Sequence, residues 1–226
     1  MIEPSETFRL VQAFFDSCQP RHALGFLHRD SVLAQLAAGQ APTTLIQMLA
    51  ALSLIYSSRA PPDRARADQW AEAVRTAVFS SRSDDAFSTS RLGLILLLKV
   101  YDEVRGNHGD SWLLTGLAVR MAVGLQLNKE GTRQMSEGER EIKRRLMWSC
   151  FLADRMFGAG QADFTVCQTS NISIRLPRRM SDLTAPSALP LIQEVLDGRS
   201  LDEVRRHGEP LSFHVWLIEI RHRALL

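Results

Sequence analysis

Residues 89–125 read TSRLGLILLLKVYDEVRGNHGDSWLLTGLAVRMAVGL, and the spacing of their apolar side chains decides the fold class. From Leu92 to Val100 the leucines and Ile95 cover nearly the whole circumference of a helix, which predicts a centrally buried helix over Thr89–Arg105. Gly106, Asn107, His108 and Gly109 form a turn with two glycines, and Asp110 is placed to cap a following helix over Ser111 to about Leu125. Two long helices joined by so short a turn are expected to run antiparallel.

The same period of three and four extends in both directions. Toward the N-terminus it predicts a helix from Ser5 to Cys18 that stops before Pro20, and a second opened by Asp30 and Ser31. A third runs over Thr43–Ser57 behind Pro42, and a fourth carries Trp70, Val74 and Val78 between the loop Ser58–Arg64 and the polar turn Ser80–Asp85. Toward the C-terminus Ser136 and Glu139 spell a capping box. The helix it opens carries Ile142, Leu146, Cys150, Ala153 and Phe157 as a stripe, widened by Met147, Trp148 and Phe151. Periodicity is lost from Gly158 to about Leu183, and short helices near Leu189–Leu196 and Ser212–Leu226 complete the pattern.

No stretch alternates for strand length and no repeat emerges, so the expectation is an all-α bundle of antiparallel helix hairpins, about eight helices in a single domain. Its main part is assigned to residues 1–185, with 186–226 as a helical continuation packed on it.

Composition narrows the function. A formal charge of +2 from 27 basic and 25 acidic residues is an ordinary surface, not a nucleic-acid footprint. Cys18, Cys150 and Cys167 lie too far apart for a zinc ribbon, and an odd count argues against a secreted disulfide framework, so a reducing compartment is expected. The apolar runs Leu45–Tyr56 and Leu92–Tyr101 are too short to span a bilayer, and no signal peptide is readable, so no membrane partner is expected.

Catalytic patterns are absent: there is no phosphate loop, no HExxH and no GxSxG. His22 and His28 lack acidic partners at ligand spacing, and Gly208 and Pro210 break the face that would align His207, His214 and His222. The run Lys143, Arg144, Arg145 follows Glu137, Glu139 and Glu141 in the same helix, with Glu139–Lys143 and Glu141–Arg145 at i,i+4 spacing, which favours a solvated, salt-bridged face over a phosphate stripe. Asp154 and Arg155 sit among Phe151, Leu152, Met156 and Phe157, so they are expected to point outward or to pair with other elements. No catalytic, cofactor-binding or metal-binding residue is assigned; an enzyme built on Asp154, His108 and Asp110 is the weaker alternative, beside a helical scaffold for protein partners.

In order along the chain, these residues resemble a known family. An apolar helix over Arg91–Gly106 is followed by Trp112, Gly116, Ala118, Arg120, Met121, Ala122 and Gly124, then by Arg144, Arg145, Leu146, Trp148, Ser149, Cys150, Phe151, Asp154 and Arg155. Upstream, Phe14, Phe15, Pro20, Phe26, Leu27, His28 and Arg29 supply a looser match. Together they are similar to the fungal-specific transcription factor domain, the middle homology region of zinc-cluster regulators. The resemblance implies the regulatory part of a nuclear transcription factor acting on RNA polymerase II genes. Contact with DNA, and zinc, would belong to a six-cysteine cluster outside this chain. The implied partners are coregulator proteins or an intramolecular activation segment, a second copy in a homodimer, and a small-molecule effector. A stand-alone interaction or ligand-binding module is the alternative. The signature residues Arg144, Arg145, Trp148, Asp154 and Arg155 are expected to maintain the fold.

Overall fold

A computed structural model describes residues 3–19, 24–58, 60–80, 87–131, 134–158, 160–180, 187 and 189–225. Pro20, His22 and the turn residues 81–85, which figured in the sequence reading, lie outside these. Among the described residues there are ten helices and no strand beyond three isolated bridges. They are α1 (Pro4–Ala13), α2 (Arg29–Ala37), α3 (Thr43–Ser57), α4 (Pro61–Ser80), α5 (Thr89–Arg105), α6 (His108–Gly124), α7 (Glu137–Gly158), α8 (Ile192–Leu196), α9 (Leu201–His207) and α10 (Pro210–Leu225). All-α is therefore the fold class, with ten helices where about eight were expected. The helix over Leu201–His207 escaped notice because seven residues with one buried side chain, Val204, make too short a pattern to register.

The chain divides into two units, residues 1–114 and 115–226, and the division falls inside α6. In the first unit α3 packs on α1, α4 and α5, and α4 packs on α5. Met48, Leu49, Leu52, Leu92, Ile95, Leu97 and Leu98 are buried, as the unbroken apolar run of α5 requires. The charged groups carried inside are paired: Asp102 takes both of its bonds from Arg75 Nη2 at 2.7 and 2.9 Å, and Lys99 Nζ meets Glu103 at 2.6 Å. The Tyr101 hydroxyl donates to Asp68 at 2.6 Å, and burial together with that carboxylate pushes its pKa up.

Several ends differ from expectation for local reasons. The first helix reaches Cys18 as expected, but beyond Ala13 it does so as a π turn over Phe14–Cys18, which buries Phe14, Phe15 and Cys18. Helix α2 opens one residue before Asp30, because the His28 ring accepts from the Ser31 amide and so caps the helix itself. Helix α6 opens at His108: the Ser111 amide reaches the Asn107 carbonyl at 3.0 Å, leaving Asp110 inside the first turn rather than at the cap. The turn before it depends on Gly106, whose φ of +85° suits glycine alone, and the Ser111 hydroxyl then donates to the Lys99 carbonyl at 3.0 Å.

In the second unit α7 packs against α10, and α8 against α10. The aperiodic stretch after α7 contains short 3-10 turns at Ala162–Phe164 and Thr169–Asn171 and is tied to its flanks by bridges Lys129–Ser173, Arg175–Leu191 and Arg178–Gly208. The capping box at the head of α7 is formed in both directions: the Ser136 amide donates to Glu139 at 2.9 Å, and the Glu139 amide to the Ser136 hydroxyl at 3.2 Å. Replacing Ser136 with alanine removes one of these and is expected to lower stability by about 1 kcal/mol in urea denaturation; an unchanged midpoint would mean that the head of α7 frays in solution.

Candidate functional site: the ionic face of α7

Helix α7 buries charge along its length. Near its start Glu141 is fully buried, and Arg144 and Arg145 are 5 % and 6 % exposed. Charges taken out of water must be matched by opposite charge and hydrogen bonds. Arg144 forks onto Glu130 through Nε at 3.0 Å and Nη2 at 2.8 Å, and turns Nη1 to Glu141 at 3.2 Å. Arg145 donates from Nε to Glu141 at 3.0 Å, while its Nη2 meets both Glu209 and the Arg178 carbonyl. Arg178 closes the circuit by giving its amide to Glu141 at 3.0 Å and its Nη2 to Glu137 at 2.8 Å. Arg140 is paired with Glu137, so four arginines face Glu130, Glu137, Glu141 and Glu209 and the formal charges balance.

The pKa shifts follow the geometry. Burial works to raise Glu130, but the Arg144 guanidinium and the Arg175 amide outweigh it and hold this carboxyl below its usual range. Glu209 goes the other way: burial raises it, and the nearby Glu141 adds to that against the attraction of Arg145.

A second group lies one to two turns beyond Trp148. Asp154, 2 % exposed, accepts from the amides of Val166 at 3.1 Å and Cys167 at 2.9 Å. Arg155 lies against Asp154 at 3.4 Å, donates to Glu219 of α10 at 2.9 Å and to the Thr169 hydroxyl at 2.8 Å, and covers the Phe151 ring at 4.6 Å. Burial would raise Glu219, yet the donors Arg155, Thr169 and Arg223 leave it lowered. His222, close to Glu219, is buried, which together with the Arg155 charge depresses its pKa.

Between the two groups Trp148 is fully buried, edge-on to Phe151 at 5.3 Å, and its indole N–H donates to the Arg175 carbonyl at 2.8 Å. Gly160, at φ +88°, lies so close to Leu225 that any side chain there would collide with it. Cys150 and Cys167 are buried thiols; burial pushes Cys167 up to about 12 and Cys150 well above its ordinary value. A surface cleft of about 280 Å³ in the first unit is lined by Thr44, Val78, Ser88, Arg91 and Leu94 among others. Among the described residues no three His, Cys, Asp or Glu side chains converge as metal ligands, and no helix is long and apolar enough to cross a membrane.

Compared with known proteins, residues 11–223 match the profile of the fungal specific transcription factor domain. The chain belongs to that family. It is 32% identical over 208 residues, 84% of its length, to a Zn(2)-C6 fungal-type transcription factor, FTF1c, of Fusarium oxysporum, and covers 22% of that protein. It is 30% identical over 212 residues, 86% of its length, to a transcriptional regulatory protein of Schizosaccharomyces pombe, of which it covers 21%. The chain thus spans about a fifth of the curated relatives it matches. No solved structure matches it.

In this fungal specific transcription factor domain the five residues singled out in the sequence are all buried, and each reaches other segments of the second unit. Arg144 and Arg145 are salt-bridged as expected, but they are not a solvated face. Ile142, assigned to the buried stripe, is instead 41 % exposed, because Glu141, Arg144 and Arg145 occupy the inward positions around it. Of the two fates open to Asp154 and Arg155, the structure gives pairing with other elements. His207 and His214 are exposed, and neither is part of such a group of converging ligands.

The partners Glu130, Thr169, Arg178, Glu209 and Glu219 were not singled out. They lie up to 64 residues from the arginines they meet, in loops or on α10, and only an acid and a base of matched burial would have flagged them.

Truncating Trp148 to alanine is expected to cost about 3–5 kcal/mol, and to phenylalanine about 1–2 kcal/mol through the unpaired Arg175 carbonyl. A phenylalanine variant as stable as the wild type in urea denaturation would show that the indole N–H is not used. For Glu219 and His222, both folded-state pKa values are depressed, so their stabilisation is complete above the unfolded values and is lost as pH falls, from about 6 for the histidine and about 4 for the glutamate. Glu219→Gln is expected to destabilise by about 3 kcal/mol at pH 7, with the gap to the wild type narrowing as pH falls below about 4, where the unfolded chain binds the proton that the folded carboxylate resists. A gap independent of pH would place the stabilisation elsewhere.

Proposed function

We propose that this chain is the regulatory, non-DNA-contacting part of a fungal zinc-cluster transcription factor that controls RNA polymerase II transcription in the nucleus. The observation that carries the reading is the family match over residues 11–223, in relatives that are about five times longer and named as Zn(2)-C6 factors. Zinc and DNA contact are assigned to a cluster outside these residues. The burial of Cys18, Cys150 and Cys167 supports that assignment, since none presents a thiolate to solvent.

The ionic face of α7 supports a scaffolding role rather than a catalytic one. Asp154 has both oxygens engaged by amides and Arg155, and the arginines of α7 are spent on carboxylates of the same unit. His108 and Asp110, the other residues weighed for catalysis, lie in the exposed first turn of α6. The cleft of about 280 Å³ falls just below the roughly 300–1,000 Å³ of ordinary ligand pockets, so a small-molecule effector receives less support than protein partners.

The test compares the isolated chain with the full-length protein at fixed moderate salt. The isolated chain is expected to show no sequence preference for DNA, and the full-length protein to bind specific sites. Deleting residues 11–223 should then change transcription from a reporter without changing affinity for the site. Specific DNA binding by the isolated chain, or a reporter indifferent to the deletion, would overturn the proposal.

A further inference from the structure

Helix α10 is turned inside out. Its buried positions are Ser212, Val215, Glu219 and His222, three of them polar, whereas Leu217, Ile220 and Leu225 are 57 %, 41 % and 52 % exposed. With Phe213, half-buried, and Ala224, the residues Leu217 and Ile220 fall at i, i+4, i+7 and i+11, so one apolar stripe runs along the solvent side of the helix. Scattered exposed leucines are ordinary; an ordered stripe opposite a polar interior is not.

The charges beside the stripe have one sign. Arg221 flanks it on one side and Arg223 on the other, both exposed; Arg223 also reaches Glu219 at 3.0 Å, and Arg221 forms no ion pair among the described residues. The carboxylate of α10 itself, Glu219, is buried and held by Arg155, and Glu209 just ahead of the helix is held by Arg145. No acidic side chain of α10 is left on its outer face to balance these cations.

We infer that the outer face of α10 is a docking surface for an amphipathic helical segment of another polypeptide whose apolar stripe is flanked by carboxylates. Apolar anchors at helical spacing set the register, and the cation flanks select acidic over basic partners. A second copy of this chain fits less well, because antiparallel pairing of α10 with itself would bring Arg221 toward the cations of its mate. The inference rests on α10 alone and stands whether or not specific DNA binding resides elsewhere in the protein.

The test uses a synthetic helical peptide of about 20 residues with a leucine stripe flanked by glutamates, and its twin with lysines in their place, in fluorescence anisotropy against the purified chain. The glutamate peptide is expected to bind at least about tenfold tighter than the lysine peptide, to weaken with added salt, and to lose about tenfold on either Leu217→Asp or Arg221→Glu. Both substitutions are at exposed positions, so circular dichroism and melting temperature should be unchanged. Equal binding of the two peptides, binding of neither, or indifference to Leu217→Asp would overturn the inference. So would self-association that Leu217→Asp abolishes, since the face would then belong to a second copy.

Discussion

A guanidinium removed from water has to find carboxylates or carbonyl oxygens at hydrogen-bonding distance, and α7 removes three of them within twelve residues. Arg144, Arg145 and Arg155 cannot be satisfied within α7: the helix supplies Glu137, Glu141 and Asp154, and the rest must arrive from residues 130, 169, 178, 209 and 219. The second unit is therefore organised by charge as much as by apolar area. A hydrophobic core tolerates many packings of similar volume, whereas a forked arginine accepts few.

This accounts for how a stretch without periodicity, residues 160–180, is held in one conformation. Amides of Val166, Cys167, Arg175 and Arg178 are each given a side-chain carboxylate, and the Trp148 indole takes the Arg175 carbonyl. Side chains of α7 and Glu130 thus do the pairing that a neighbouring strand would do in a sheet. The first unit is built differently, around the apolar circumference of α5, with its few internal charges paired one to one.

That contrast explains what could be read in advance. The bounds of α3 and α5 and the capping box of α7 were legible, because apolar period and caps are local properties of the chain. So was the family, through the ordered resemblance of its residues. The direction in which Arg144 and Arg145 point was not: glutamates at i−3 and i−4 look alike whether the face is wet or dry, and only partners far away in sequence decide it. The polar interior of α10 was hidden for the same reason, since Val215, Trp216, Ile218 and Ile220 suggest an apolar side that the fold then turns partly outward.

The thiols carry a consequence of their own. Cys18 is buried at the end of the π turn in the first unit, and Cys150 and Cys167 are buried in the second, none of them in a disulfide. With burial holding Cys150 and Cys167 protonated, they are silent toward electrophiles while the second unit is closed. Each unit thus holds an internal reporter whose labelling records the opening of that half of the chain and not of the other.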